Sequence, residues 1–106
     1  MPTSTRKKLE SEFNTDLSEK LDARFPGHFS YKLDPNQVQG IPDRLILFED
    51  HWAILETKRG TSGSDARQQP NQDHYVEKFG KMGFSAFINP QNCDEVLDEM
   101  EAAWRA

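Results

Sequence analysis

The sequence predicts a single α/β domain in which helices flank a mixed sheet. The chain has 106 residues, which is enough for one hydrophobic core and too few for two. Three segments carry apolar residues at helical spacing, and four short apolar runs are typical of strands. The resulting order of elements is α, β, β, β, α, β, α, which favours a sheet with helices packed on its faces. We therefore treat residues 1–106 as one domain.

The first helix is predicted by apolar residues at every fourth position, namely Leu9, Phe13, Leu17 and Leu21. Thr3 or Ser4 would cap its N-terminus, and the segment Phe25–Gly27 would end it. After this stop, HFSYKL is a candidate for a short strand. The segment DPNQVQGIP contains two prolines and a glycine, so it predicts a loop before the next element.

Residues 43–58 predict the centre of the sheet. The runs DRLILFE and HWAILETK are apolar and are joined tightly at Glu49 to His51, which indicates a β-hairpin. The segment RGTSGSDARQQPNQ that follows is polar and rich in glycine. It predicts a mobile loop beside the ends of the hairpin.

Two more helices are predicted around the last strand, FSAFIN. Pro70 suits the first turn of the second helix, and Gly83 would end it. The apolar face of this helix would consist of Tyr75, Val76, Phe79 and Met82. Asn92 and Glu95 have the spacing of a capping box at the start of the third helix. The buried face of that helix would consist of Val96, Leu97, Met100 and Trp104.

Composition and charge narrow the classes of function. No apolar run reaches the roughly 18 residues that cross a membrane, and the N-terminus lacks the apolar core of a signal peptide, so we expect a cytoplasmic protein. The single Cys93 excludes an internal disulfide and a multi-cysteine zinc site. The net charge is −5, but residues 93–106 carry five acids against one arginine, which leaves the remaining chain nearly neutral.

Basic residues within that nearly neutral part are grouped. One group is RKK at residues 6–8, and the other consists of Lys58, Arg59 and Arg67. Such groups favour contact with phosphates, and scattered solvated charge is the alternative interpretation.

Three charged residues of the hairpin are predicted to meet at its open end. Because side chains alternate along a strand, Trp52, Ile54, Glu56 and Lys58 share one face. In a tight hairpin the start of the first strand faces the end of the second, which brings Asp43 beside Glu56 and Lys58. Two partly buried carboxylates repel each other and lose hydration, and a divalent cation would remove this conflict. The alternative is an exposed hairpin end with a salt bridge worth about 0–1 kcal/mol.

The chemistry of these groups indicates a particular class of metal ion. Oxygen ligands suit Mg²⁺ or Mn²⁺, which keep several waters and bridge to substrate phosphates. The backbone carbonyl of Thr57 would add a third ligand. Lys58 would hold or deprotonate the attacking water, while the ion would stabilise the charge that develops on the phosphate. The pattern therefore predicts metal-dependent hydrolysis of a phosphodiester.

Asp43 after Pro42, followed by Glu56-Thr57-Lys58, resembles the motif of the PD-(D/E)xK nuclease superfamily. The order of elements is similar to its αβββαβ restriction-endonuclease-like core, here with an extra C-terminal helix. The likeness is closer to the small VRR-NUC-type nucleases, many of them encoded by phages, and to the archaeal Holliday junction resolvases. It covers roughly residues 9–90 and includes GIPD ahead of the second core strand. The valine-arginine-arginine motif that gives the VRR-NUC family its name is not evident.

The resemblance implies a catalytic set made of Asp43, Glu56, Lys58, Glu10 and Gln72. Asp43 and Glu56 would bind the metal, and Lys58 would organise the attacking water. Glu10 matches the helix glutamate of the family, which reaches the metal directly or through water, with Glu12 as the second choice. Gln72 matches the glutamine on the helix after the motif, and Tyr75 is its weaker companion. For Glu10 and Gln72, solvated helix surface is the alternative.

We expect a metal-dependent DNA endonuclease that uses Mg²⁺, with Mn²⁺ as a substitute, and selects branched DNA such as Holliday junctions. The chain has little surface for reading base sequence, which favours recognition of DNA structure. The resemblance implies a homodimer and, for a phage-encoded chain, the cytoplasm of the host cell. The expected DNA contacts are Arg59, Arg67, Lys7, Lys8 and Tyr75. The alternatives are a noncatalytic module with the same fold, which binds nucleic acid or another partner, and a nicking or exonuclease activity within the superfamily.

Overall fold

The structure, a computed structural model, describes residues 2–34, 36–58 and 72–105, with side chains described from residue 12 onward. Its elements follow the predicted order: α1 (Pro2–Arg24), β1 (Phe29–Lys32), β2 (Arg44–Phe48), β3 (His51–Thr57), α2 (Gln72–Gly80), β4 (Phe84–Ile88) and α3 (Cys93–Arg105). The strands form one mixed sheet in the order β1-β2-β3-β4. The first three strands are antiparallel, and β4 runs parallel to β3. The predicted α/β class is confirmed.

The main core lies between one face of the sheet and the helices α1 and α3. Phe13, Leu17 and Leu21 of α1 are buried at the predicted four-residue spacing. They belong to one buried cluster with strand and α3 residues, which include Ile46, Ala53, Leu55, Ile88, Val96, Leu97 and Met100. The prediction that these α3 residues form its buried face is confirmed, and Trp104 packs against the cluster as a half-buried side chain.

The other face of the sheet is covered in part by α2, which packs on β3 and β4. It forms the crossover that two parallel strands require. Ile54 and Glu56 alternate with Ala53 and Leu55 along β3, and all four are buried. Strand β3 is therefore covered on both faces, and Glu56 lies on the face that carries α2. Within the described residues, no helix is long and apolar enough to cross a membrane.

The helix boundaries differ from the predictions at two places. α1 begins at Pro2, so the predicted cap at Thr3 or Ser4 is wrong. Proline suits the first helical position because its missing N–H would have no intrahelical partner there. α2 ends at Gly80 rather than at Gly83, and Met82 lies beyond it with 61% of its surface exposed. Met82 is therefore not part of the apolar face of α2.

The predicted capping box of α3 is also wrong. Asn92 precedes the helix, but its Oδ1 accepts a hydrogen bond from the backbone N–H of Asn89 at 2.8 Å, and its Nδ2 donates to the Phe87 carbonyl at 3.2 Å. The side chain thus holds the turn between β4 and α3. The side chain of Leu9, the predicted first turn at Pro70 and the loop predicted after Lys58, as far as residue 71, lie outside the described residues.

Candidate active site at the open end of the β2–β3 hairpin

The register of the hairpin brings Asp43 level with the end of β3. Arg44 pairs with Leu55, so the residue before Arg44 faces Glu56. The backbone N–H of Thr57 donates to Asp43 Oδ1 at 3.1 Å, and the Thr57 hydroxyl donates to Asp43 Oδ2 at 2.6 Å. The Asp43 carboxylate therefore closes the open end of the hairpin and is held in one orientation.

Gln72 connects Glu56 and Lys58 through hydrogen bonds. Its side-chain oxygen accepts a hydrogen bond from Lys58 Nζ at 2.8 Å, and its Nε2 donates to Glu56 Oε2 at 2.8 Å. Lys58 Nζ and Glu56 Oε2 are 4.0 Å apart. Glu56 and Gln72 are each only 6% exposed. The first residue of α2 thus fixes a carboxylate and an ammonium of β3 relative to each other.

The environment of Glu56 disfavours its charged form. Burial, followed by the negative charge of Asp43, raises the pKa of Glu56 to about 7, although Lys58 and hydrogen bonds from Gln72 and from the backbone of Asp43 act in the opposite direction. Its Oε1 atom is buried and has no hydrogen-bond partner in the described part of the chain. A buried acceptor without a partner costs about 1–3 kcal/mol, and more when it is charged. A cation bound at Oε1 would remove this cost.

The donor atoms present suit a hard divalent cation. Asp43 and Glu56 supply carboxylate oxygens with free lone pairs, and Mg²⁺ is commonly held by one or two carboxylates while it keeps several waters. The orphaned Glu56 Oε1 is the observation that supports this fit. Among the side chains that the structure describes, no group of three or more His, Cys, Asp or Glu residues could hold a metal ion. The predicted ligand role of the Thr57 carbonyl stays a prediction.

Glu10, the predicted helix glutamate, lies on α1, but its side chain is outside the described residues. Its position is one turn ahead of Asn14, which lines a cleft together with Asp43. Glu12, the second choice, is exposed. The role of Glu10 as a metal ligand therefore stays a prediction.

The predicted DNA contacts fall mostly outside the described residues. This holds for Arg59 and Arg67 and for the side chains of Lys7 and Lys8. Tyr75 is described and is half-buried. Its ring lies beside those of His74 and Phe79, with centroids 5.0 and 5.8 Å away.

Sequence reasoning missed the α1 side of the hairpin end. A cleft of about 340 Å³ is present there, lined by Asn14, Ser30, Lys32, Asp43, Arg44 and Thr57. Lys32 and Arg44 are cross-strand partners. The signal that could have found them is the alternation of β1 and β2, which places this pair on the sheet face opposite Glu56. The hydroxyl of Thr57 was also missed, because only its carbonyl was considered.

Comparisons with protein-family models, curated proteins and solved structures gave no match. The geometry of the site and the motif in the sequence are therefore the basis for the function proposed below.

Proposed function

We propose that the protein is a metal-dependent phosphodiesterase that hydrolyses the DNA backbone. The observation that supports this most strongly is the convergence of Asp43, Glu56 and Lys58 at one end of the hairpin, where Glu56 Oε1 is buried and has no partner among the described residues. Structural ion pairs are normally satisfied within the protein. Here Glu56 Oε1 has no partner among the described residues, so it can still accept a ligand.

Each side chain of the site has a separate role in this proposal. Asp43 and Glu56 would hold the ion, which would act as a Lewis acid and stabilise charge on the phosphate oxygens. Lys58 orients the attacking water through its Nζ atom, and Gln72 keeps Nζ in place by accepting its hydrogen bond at 2.8 Å. The water oxygen bonds to phosphorus, one phosphorus–ester bond breaks, and the leaving oxygen takes up a proton. The products are a phosphomonoester and a free hydroxyl.

The substrate class and the assembly follow from the resemblance to the PD-(D/E)xK nucleases. We expect a restriction-endonuclease-like core, a preference for branched DNA and a homodimer with two sites at a fixed spacing. A small chain has little surface for base contacts in the grooves, and this favours selection by DNA structure over selection by sequence.

The test is a cleavage assay of the full chain on a panel of DNA substrates, comprising a four-way junction, a flap, a nicked duplex, a linear duplex and a single strand. We expect cleavage with Mg²⁺ or Mn²⁺ and none in EDTA. Asp43→Asn and Lys58→Met should each lower the rate about 100-fold or more, because each removes a group that acts on the reacting atoms. Asp50→Asn is the matched control, since it makes the same change at the exposed turn of the same hairpin.

Three outcomes separate the proposal from its rivals. Cleavage in EDTA, or full activity of both site variants, would contradict the mechanism. DNA binding without hydrolysis under either metal would favour the noncatalytic module. Cleavage that starts only from DNA ends would keep the chemistry and replace endonuclease by exonuclease activity. Circular dichroism of each variant shows whether the fold is retained.

A further inference from the structure

The cleft on the α1 side of the hairpin end contains a guanidinium with few partners. Arg44 is half-buried, and its Nη1 donates to Ser30 Oγ at 2.9 Å. No carboxylate within the described residues forms an ion pair with it. Burial lowers the pKa of Arg44, with the nearby charge of Asp43 acting against this effect. An arginine side chain has five N–H donors and stays charged in proteins, so most of its donors have no partner among the described residues.

Arg24 is a second arginine of this fold, and its charge is paired within the chain. It is also half-buried, but its guanidinium pairs with Asp98 at 2.8 Å and with Glu101 at 3.3 Å. A partly buried cation normally has such partners, because losing hydration without compensation is costly. Among the described residues Arg44 has no such partner, which leaves its guanidinium available to an anionic ligand.

The neighbours of Arg44 in the cleft suit an anion that bears several acceptor oxygens. Lys32 is exposed, pairs with Arg44 across the two strands and adds a second positive charge. The side-chain amide of Asn14 and the hydroxyl of Ser30 add neutral donors to the lining. A planar guanidinium beside an ammonium matches the geometry and the charge of a phosphate.

The position of the cleft relates it to the proposed active site. Asp43 lines its wall, yet the Arg44 guanidinium is not within ion-pair distance of that carboxylate. An anion can therefore bind to Arg44 without contacting Asp43. A DNA strand that places one phosphate at Asp43 and Glu56 would place a neighbouring phosphate near this cleft, since successive phosphates lie only a few ångströms apart along a strand.

We propose that this cleft binds a backbone phosphate of the DNA strand adjacent to the bond that is cut, with Arg44 and Lys32 as its donors. The inference rests on the proposed function for the identity of the polymer. Arg44 is a positioning residue here, because it holds the strand and does not touch the reacting atoms.

The test is the binding of a labelled DNA duplex to the full chain in EDTA, measured by fluorescence anisotropy over a range of salt concentrations. Arg44→Met should weaken binding about tenfold, the size expected for a charge-assisted contact. It should also lower the slope of log affinity against log salt by about one, as the loss of one phosphate contact does. Lys32→Ala should act in the same direction and, being an exposed site, should leave the fold intact.

Matched controls come from cations that are paired within the protein. Arg24→Met and Lys20→Ala should leave the affinity and the salt slope unchanged, because Arg24 pairs with Asp98 and Lys20 with Asp94. Arg44→Lys should keep the slope and lose part of the affinity, since an ammonium retains the charge without the planar fork.

The outcomes distinguish this inference from the proposed function. If wild-type protein binds no DNA, if Arg44→Met and Lys32→Ala bind like wild type, or if the controls weaken binding equally, the phosphate site is overturned. It is likewise overturned if inorganic phosphate binds more tightly than DNA, because the cleft would then be a free-anion site. If binding depends on Arg44 but no metal supports cleavage, the phosphate site stands and the hydrolytic function fails. If a metal supports cleavage but DNA binding does not depend on Arg44, the hydrolytic function stands and the phosphate site is overturned.

Discussion

The two ends of the β2–β3 hairpin lie on the same pair of strands but are built differently. At the turn end, the ring of Trp104 lies against Phe25, Phe48 and His51, with centroid distances of 5.0, 6.0 and 5.6 Å. Its indole N–H donates to the Trp52 carbonyl at 3.1 Å. This end is an aromatic cluster that fastens α3 to the hairpin, and the indole N–H of Trp104 has a partner within the chain.

The two ends of the hairpin also differ in how their charged residues are paired. A cleft of about 220 Å³ at the turn end is lined in part by Arg24, Glu101 and Arg105, and both arginines pair with Glu101. At the open end, Glu56 has an oxygen without a partner, and Arg44 has no carboxylate within the described residues. This difference supports the proposal that the open end binds a ligand, whereas the paired charges of the turn end hold the fold together.

The largest effect on stability is expected at the turn end. Trp104→Ala should lower the free energy of unfolding by about 3 kcal/mol, because it opens a cavity among the aromatic rings. Trp104→Phe is the matched control: it keeps most of the ring contact and removes the hydrogen bond to Trp52, so a loss of about 1 kcal/mol is expected. Urea unfolding measures both. Loss of DNA cleavage by Trp104→Ala protein that is still folded would contradict the separation of the two ends.

A smaller, pH-dependent effect is expected at the open end. The folded chain raises the pKa of Glu56 from 4.5 to about 7, so the folded state binds this proton more tightly than the unfolded state. Stability should therefore fall as the pH rises between these two values and level off above them. Glu56→Gln removes the titration and should be more stable than wild type at about pH 8, with little difference near pH 4.

The matched control for Glu56 is Glu49→Gln at the exposed turn. It makes the same change of side chain at an exposed position, so it separates the effect of burial from the effect of the substitution itself. Thermal unfolding over a series of buffers measures both variants. If the difference in stability between Glu56→Gln and wild type is the same at every pH, burial does not raise the pKa of Glu56.

The smallest effect is expected from the backbone of the turn. Glu49 has a φ of 57°, in the left-handed region that favours glycine. Glu49→Gly should raise the free energy of unfolding by up to about 1 kcal/mol, because relief of strain is partly offset by the greater freedom of glycine in the unfolded chain. Asp50→Gly, at a residue without positive φ, should give no such gain. Equal shifts in melting temperature for the two variants would contradict this reading of the turn.

Much of this arrangement could be predicted from the sequence because it depends on short-range geometry. The two-residue turn fixes the register of β2 and β3, and the alternation of side chains then places Asp43 beside Glu56. The spacing of Phe13, Leu17 and Leu21 likewise determines which face of α1 is buried. In both cases a few consecutive residues contain the information.

The remaining features depend on contacts between distant segments. Alternation along one strand does not reveal that Gln72 joins Lys58 to Glu56, because this depends on how α2 packs on the sheet. The lack of an ion pair for Arg44 among the described residues is also a property of the assembled fold. Asn92 shows the same limit: its spacing from Glu95 fits a cap, but the turn after β4 uses its amide group.

We propose that the open end of the hairpin binds a divalent cation, and a Mg²⁺ titration of thermal stability in the absence of DNA measures this binding. At about pH 8, a Mg²⁺ concentration of about 100 times Kd should stabilise the wild-type protein by about 2.7 kcal/mol. Asp43→Asn and Glu56→Gln should lose most of this gain, while Asp50→Asn and Glu49→Gln should keep it. A wild-type melting temperature that does not depend on Mg²⁺ or Mn²⁺, or equal gains in all four variants, would contradict the claim.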